Sequence, residues 1–126
     1  MNYSIIKENI NIELKKAEGG LPKSIWETYC SFSNTSGGTI YLGIEESEPN
    51  IIHGIKNPNE IKKNFFNTIN NKNKVSYNGI SEEDFKIVDI DGKNIIEIIV
   101  KEVPFYLKPV YLNNNLYDIR FDLESR

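Results

Sequence analysis

Glutamates and a lysine are the residues of this sequence best suited to hydrolytic chemistry. Glu8 and Glu13 stand near the start of the chain, and Glu45 and Glu46 close an apolar, β-like run. A strand that begins near one edge of a sheet and another that ends there would bring such side chains together. Carboxylate oxygens are the ligands that hard Mg²⁺ or Mn²⁺ prefers, and a bound ion of this kind activates water against a phosphodiester. Lys15 would then stabilise the charge developing on the phosphate. Glu45 and Glu46 remain alternatives for the third ligand. Acidic side chains on exposed strands and turns are also ordinary solvated surface, and that plainer reading competes with the site.

A second chemistry lies in the distribution of lysines. Between Lys56 and Lys74, the five residues Lys56, Lys62, Lys63, Lys72 and Lys74 face a single acid, Glu60, whereas from Ser81 to Glu102 seven acids oppose three lysines. A basic helix and loop of this kind could follow a phosphate backbone, with Asn64, Asn67, Asn70 and Asn71 adding hydrogen bonds. Lysines on the outer face of an amphipathic helix explain the same pattern as plain surface. Lys23 and Ser24, beside the free N–H groups of a helix start, could hold a phosphate oxygen, and Arg120 carries a guanidinium suited to the same task. Tyr106, Tyr111 and Tyr117 either stack on bases or pack on a sheet.

Other chemistries are excluded or weak. His53 is the single histidine, so neither a multi-histidine zinc site nor more than one member of a Ser-His-Asp triad is available. Gly19-Gly20 and Gly37-Gly38 are not followed by Gly-Lys-Ser/Thr, so no phosphate-binding loop of the NTPase kind is present. Cys30, the sole cysteine, cannot close an internal disulfide and reads as a small core residue in a reducing compartment.

The elements that must position these groups centre on residues 22–46. Pro22 suits a first helical turn, Ile25, Tyr29 and Phe32 recur at helical spacing, and Asn34 to Gly38 should stop the helix. Thr39 to Ile44 then reads as a buried strand with Ile40, Leu42 and Ile44 on one face, and Gly43 implies a close neighbour. Upstream, residues 1–10 form a short helix or arm, and Asn11 to Lys15 alternates so that Ile12 and Leu14 face inward while Glu13 and Lys15 face the other way. Downstream, Ile51 to Ile55 is a short paired strand. Asn57, Pro58 and Glu60 make a capping box for a helix bearing Ile61, Phe65 and Ile69. Asp91-Gly92 signals a hairpin between Phe85–Ile90 and Ile95–Val100, the second arm apolar enough to be interior. Val110–Leu112 and Leu116–Phe121 read as a last hairpin.

With 126 residues, 39% hydrophobic and 26% charged, the chain is expected to be one domain, 1–126. A net charge of −3 supplies no global attraction to nucleic acid, so any binding must use a local patch. No membrane-length apolar run or signal peptide is visible, which points to the cytoplasm and to no membrane partner.

The run WETYCSFSNTSGGTIYLGIEE resembles the signature of the Schlafen AlbA-like domain. Glu8-x4-Glu13-x-Lys15, Pro22, His53-Gly54-Ile55 and Lys108-Pro109-Val110-Tyr111 fall where that family would place them. The resemblance implies an α/β (α+β) fold, a mixed β-sheet with two helices packed on it, which agrees with the order β-α-β-β-α-β-β-β-β read above. It also implies DNA binding within a bacterial transcriptional regulator. In that reading Lys15, Lys23, Lys62, Lys63, Lys72, Lys74 and Arg120 contact phosphates of DNA or structured RNA and need no cofactor. Animal Schlafen proteins imply an alternative, a Mg²⁺- or Mn²⁺-dependent ribonuclease using Glu8, Glu13 and Glu45 or Glu46. ATP binding is attached to some relatives, but no residue here supports it. Relatives continue from the arginine matching Arg120 into a glycine and a Ser/Thr-rich loop, whereas this chain has Phe121-Asp122-Leu123-Glu124. A third reading is an interaction or dimerisation module, with a homo-oligomer formed through an exposed edge strand.

Overall fold

Alternation along Ile12–Lys15 produces the first strand, β1, in a computed structural model that describes residues 11–113. Leu14 is buried and Ile12 packs beside it, while Glu13 and Lys15 take the opposite face. Helix α1 spans Ile25–Asn34 and buries Ile25, Tyr29 and Phe32, the expected stripe. Its start is later than Pro22 because the Ile25 and Trp26 N–H groups donate to Pro22 and Lys23 carbonyls three residues back, which makes a tighter turn first. The helix stops where glycine allows it. Gly37, at φ 77°, returns its N–H to the Phe32 carbonyl at 2.8 Å.

The central strand does not run on to Ile44. Strand β2 covers Gly38–Leu42, and after Gly43 the chain enters a separate two-stranded sheet of β3, Ile44–Glu45, and β4, Ile51–Ile52. Gly43 has φ 99°, which interrupts the alternation, so Ile44 leaves the cluster of Ile40 and Leu42 and joins the one on the other side of the sheet. An added Cβ at Gly43 would lie 3.3 Å from Ile55 Cγ1 and 3.4 Å from Ile95 Cγ2, so the expected close neighbour exists.

Helix α2, Pro58–Ile69, buries Ile61, Phe65 and Ile69 and begins at its proline. The capping box expected at Asn57 is absent, because Asn57 sits at φ −125°, ψ 70° and its side chain makes no capping hydrogen bond. A box forms instead before strand β5, Phe85–Ile90, where Asp84 accepts the Ser81 N–H at 2.9 Å and its hydroxyl at 3.0 Å. Burial pushes the Asp84 carboxyl up, but the Ser81 bonds and Lys101 outweigh it and hold the group below its ordinary value. Asp91 (φ 52°) and Gly92 (φ 83°) then turn the chain into strand β6, Lys93–Val100.

The main sheet has the order β1-β2-β6-β5, with β1 parallel to β2 and the other pairs antiparallel, so β6 is interior as its composition requires. Both helices pack on the face bearing Ile40, Leu42, Ile96 and Ile98, while Leu14, Tyr41, Ile44 and Ile95 form the core of the opposite face. Instead of a strand, Val110–Leu112 supplies an isolated bridge from Leu112 to Val75, and the Asn34 amide holds Val110 by both its N–H and its carbonyl. The expected arm Leu116–Phe121 and residues 1–10 lie outside the described residues. Cys30 packs against the helical core, and burial, with Glu27 nearby, pushes its thiol up to about 12. Among the described residues no helix is long and apolar enough to cross a membrane.

Gly37 and Gly92 share a positive φ but differ in surroundings. A Cβ on Gly37 would meet the Val100 carbonyl oxygen at 2.8 Å, whereas one on Gly92 meets nothing within 4 Å. Gly92→Ala is therefore expected to cost only the left-handed backbone penalty of about 1 kcal/mol. Gly37→Ala adds overpacking and should cost about 2–4 kcal/mol. Urea unfolding of both variants checks the difference; equal losses would contradict it.

Candidate nucleic-acid interface

A cleft of about 1210 Å³ opens between the loop that follows β1 and one side of α2. Ala17 to Leu21, with Lys23 and Trp26, form one wall, and His53 to Asn57 form its end. Helical spacing places Glu60, Ile61, Asn64 and Thr68 together on the other wall, closed off by Lys74, Val75 and Leu112. Trp26 is held in place by stacking on Phe65 of α2, with ring centres 5.0 Å apart and planes at 25°. Tying the two helices together in this way also sets the width of the cleft.

Three exposed lysines, Lys23, Lys56 and Lys74, line the cleft, and among the described residues none of them pairs with a carboxylate within 4.0 Å. Unpaired ammonium groups around a concavity concentrate positive potential there. Glu18 and Glu60 also line it. Glu18 is engaged by Lys16 Nζ at 3.9 Å and by His53 Nδ1 at 3.5 Å, which reduces its opposition to the lysines.

His53 has a carboxylate at each ring nitrogen, since Nε2 lies 2.7 Å from Glu45 Oε1 while Nδ1 faces Glu18. The His53 hydrogen bond holds the Glu45 carboxyl below its ordinary value, against the opposing effect of burial and with help from Lys16. A neutral imidazole donates to one carboxylate only, and a protonated ring donates to both. The two acids occupy opposite edges of the ring and so do not converge on a common point. The lone His53 had no partner legible along the chain, because Glu45 meets it only through the pairing of β3 with β4.

The other expected site residues are dispersed. The parallel register sets Glu13 beside Ile40, near the middle of β2, whereas Glu45 lies beyond its far end. Glu13 is 3.6 Å from Lys15, and Lys15 Nζ donates to Ser24 Oγ at 2.9 Å. Glu46 follows β3 on the surface, and Glu8 and Arg120 lie outside the described residues. Among the described residues no three His, Cys, Asp or Glu side chains are grouped to hold a metal ion. Lys62 pairs with Glu82 at 2.8 Å, and Lys63 and Lys72 are exposed away from the cleft lining. Tyr106 is exposed on the turn Phe105–Leu107.

The family model described as Schlafen, AlbA_2 matches residues 6–122. The fold is similar to the N-terminal domain of a RecG-related protein from Nitrosomonas europaea, with a TM-score of 0.69, 20% identity, and 85% of this chain and 72% of that one covered. It is also similar to the DIP2311 protein from Corynebacterium diphtheriae, with a TM-score of 0.55 and 16% identity over 90% of this chain, which spans 22% of that protein. No curated protein matches.

Because the Glu45 carboxyl is depressed in the folded state, its bond to His53 stabilises the fold above the ordinary carboxylate range and is lost as pH falls through the lowered value. Carboxyl NMR titration should place Glu45 below a free glutamate, and His53→Ala should raise it. An unchanged Glu45 titration in the variant would refute the contact.

Proposed function

The chain belongs to the Schlafen AlbA_2 family, and on that footing we propose that it binds nucleic acid through the lysine-lined cleft. The observation that carries this reading is the set of Lys23, Lys56 and Lys74, gathered from three separate segments and left without carboxylate partners among the described residues. Each lysine set against a phosphate releases condensed counterions, which is the main source of sequence-independent affinity. The name of the Nitrosomonas europaea protein relates it to a DNA helicase, which supports the same class of ligand. We place the domain in a transcriptional regulator, where phosphate contacts of this kind add affinity and orientation without reading sequence. Lys62 differs from the cleft lysines, because its ammonium is already compensated by Glu82.

Salt titration tests the assignment. A plot of log affinity against log salt should have a negative slope, and each of Lys23→Ala, Lys56→Ala and Lys74→Ala should make it shallower by roughly 0.7–0.9. Lys62→Ala should leave the slope nearly unchanged. Equal effects at all four positions would remove the cleft from the interface, and salt-insensitive binding would reject the reading.

A further inference from the structure

The lysines explain attraction to phosphate but not the interior of the cleft. Its wall carries Trp26, the only tryptophan in the chain, whose indole is backed by Phe65 on one face and meets Tyr29 edge-on at 6.4 Å. Opposite this aromatic surface stand Asn57, Asn64 and Thr68, and their side chains make no hydrogen bond to any other group of the described protein. Amides and a hydroxyl of this kind can both donate and accept. An aromatic ring, uncommitted amides and unpaired ammonium groups in one concavity match the three chemical parts of a nucleotide: the flat base, its polar edge and its phosphate.

Resting on the reading above, we infer that the cleft takes an unpaired stretch of nucleic acid, with a base stacked at Trp26, its edge toward Asn57 or Asn64, and its phosphates at Lys23, Lys56 and Lys74. A duplex cannot satisfy these groups together. Its base faces are buried in the stack and its pairing edges are occupied, so only the backbone would reach the rim. Single strands present both features, and base–aromatic stacking is tolerant of sequence. Size favours a strand over a small metabolite, because 1210 Å³ exceeds the roughly 300–1,000 Å³ of typical small-molecule pockets.

Trp26 reports its own occupancy. Intrinsic fluorescence of the whole chain would be followed while adding a short oligothymidylate, the same strand paired with oligoadenylate, or thymidine monophosphate, with anisotropy of labelled strands measured in parallel. The single strand should bind and change Trp26 emission, whereas the duplex should leave that emission unchanged. Trp26→Leu, which fills the space without a π face, should bind the labelled single strand roughly tenfold to hundredfold more weakly. Should that variant fail to fold by circular dichroism, Asn64→Ala supplies a second test and should weaken single-strand binding while sparing duplex binding. Strand binding with unchanged Trp26 emission would overturn the inference and leave the lysine interface standing. Equal emission changes with duplex, or with the monophosphate at equal concentration, would overturn it as well. Absence of binding to either polymer would overturn both readings.

Discussion

Gly43 is the constraint on which the site depends. Its N–H donates to the Lys15 carbonyl at 2.8 Å, and its own carbonyl accepts from His53 at 2.9 Å and from Gly54 at 3.1 Å. One residue therefore ties the end of β1, the end of β2 and the segment after β4 into a single node. Only a residue without a Cβ adopts φ 99° here with Ile55 and Ile95 so close. The same turn carries Glu45 toward His53 and leaves the loop after β1 beside it, so Glu18, His53 and Glu45 meet although they are far apart in sequence.

Around that node the fold divides its polar groups by use. On the far side of α2, Lys62 answers Glu82, and Lys108 answers Glu102 at 2.6 Å on the segment that returns to α1. These exposed pairs contribute little stability individually, but each compensates its lysine locally. The cleft is different. There, three lysines and Asn57 on turns and loops, with Asn64 and Thr68 on α2, have side chains without partners among the described residues, and Trp26 is fixed beside them by its stack on Phe65. A site whose polar groups are already solvated loses less on binding than one that must first break internal bonds.

Much of this architecture is written in local pattern. The alternation of Ile12 and Leu14, the stripe Ile25, Tyr29 and Phe32, the stripe Ile61, Phe65 and Ile69, and the Asp91-Gly92 turn each depend on neighbours within a few residues, and each is found where periodicity and turn chemistry put it. Elsewhere local rules were overridden. Asn57 has the composition of a helix cap but a backbone that keeps its side chain from capping, and Ile44 follows Ile40 and Leu42 in alternation but is turned to the other face by the glycine before it. Asn57 lies on the lining of the cleft, where the chain leaves regular geometry to form a concavity.

The sequence by itself determined the α+β class, the two helices on a mixed sheet, the interior position of β6 and the polarity that sets a lysine-rich segment against an acidic one. These follow from side-chain period, turn residues and charge, which are properties of contiguous stretches. Tertiary structure alone decided which lysines stay unpaired, that His53 would meet Glu45 and Glu18, that Glu13 would lie beside Ile40 and apart from Glu45, and that Trp26 would face a cleft. Those outcomes depend on strand register and on helix placement, which bring together residues that no local rule connects. A one-residue change of register would move Glu13 from Ile40 and Glu45 from His53 while leaving the local patterns intact.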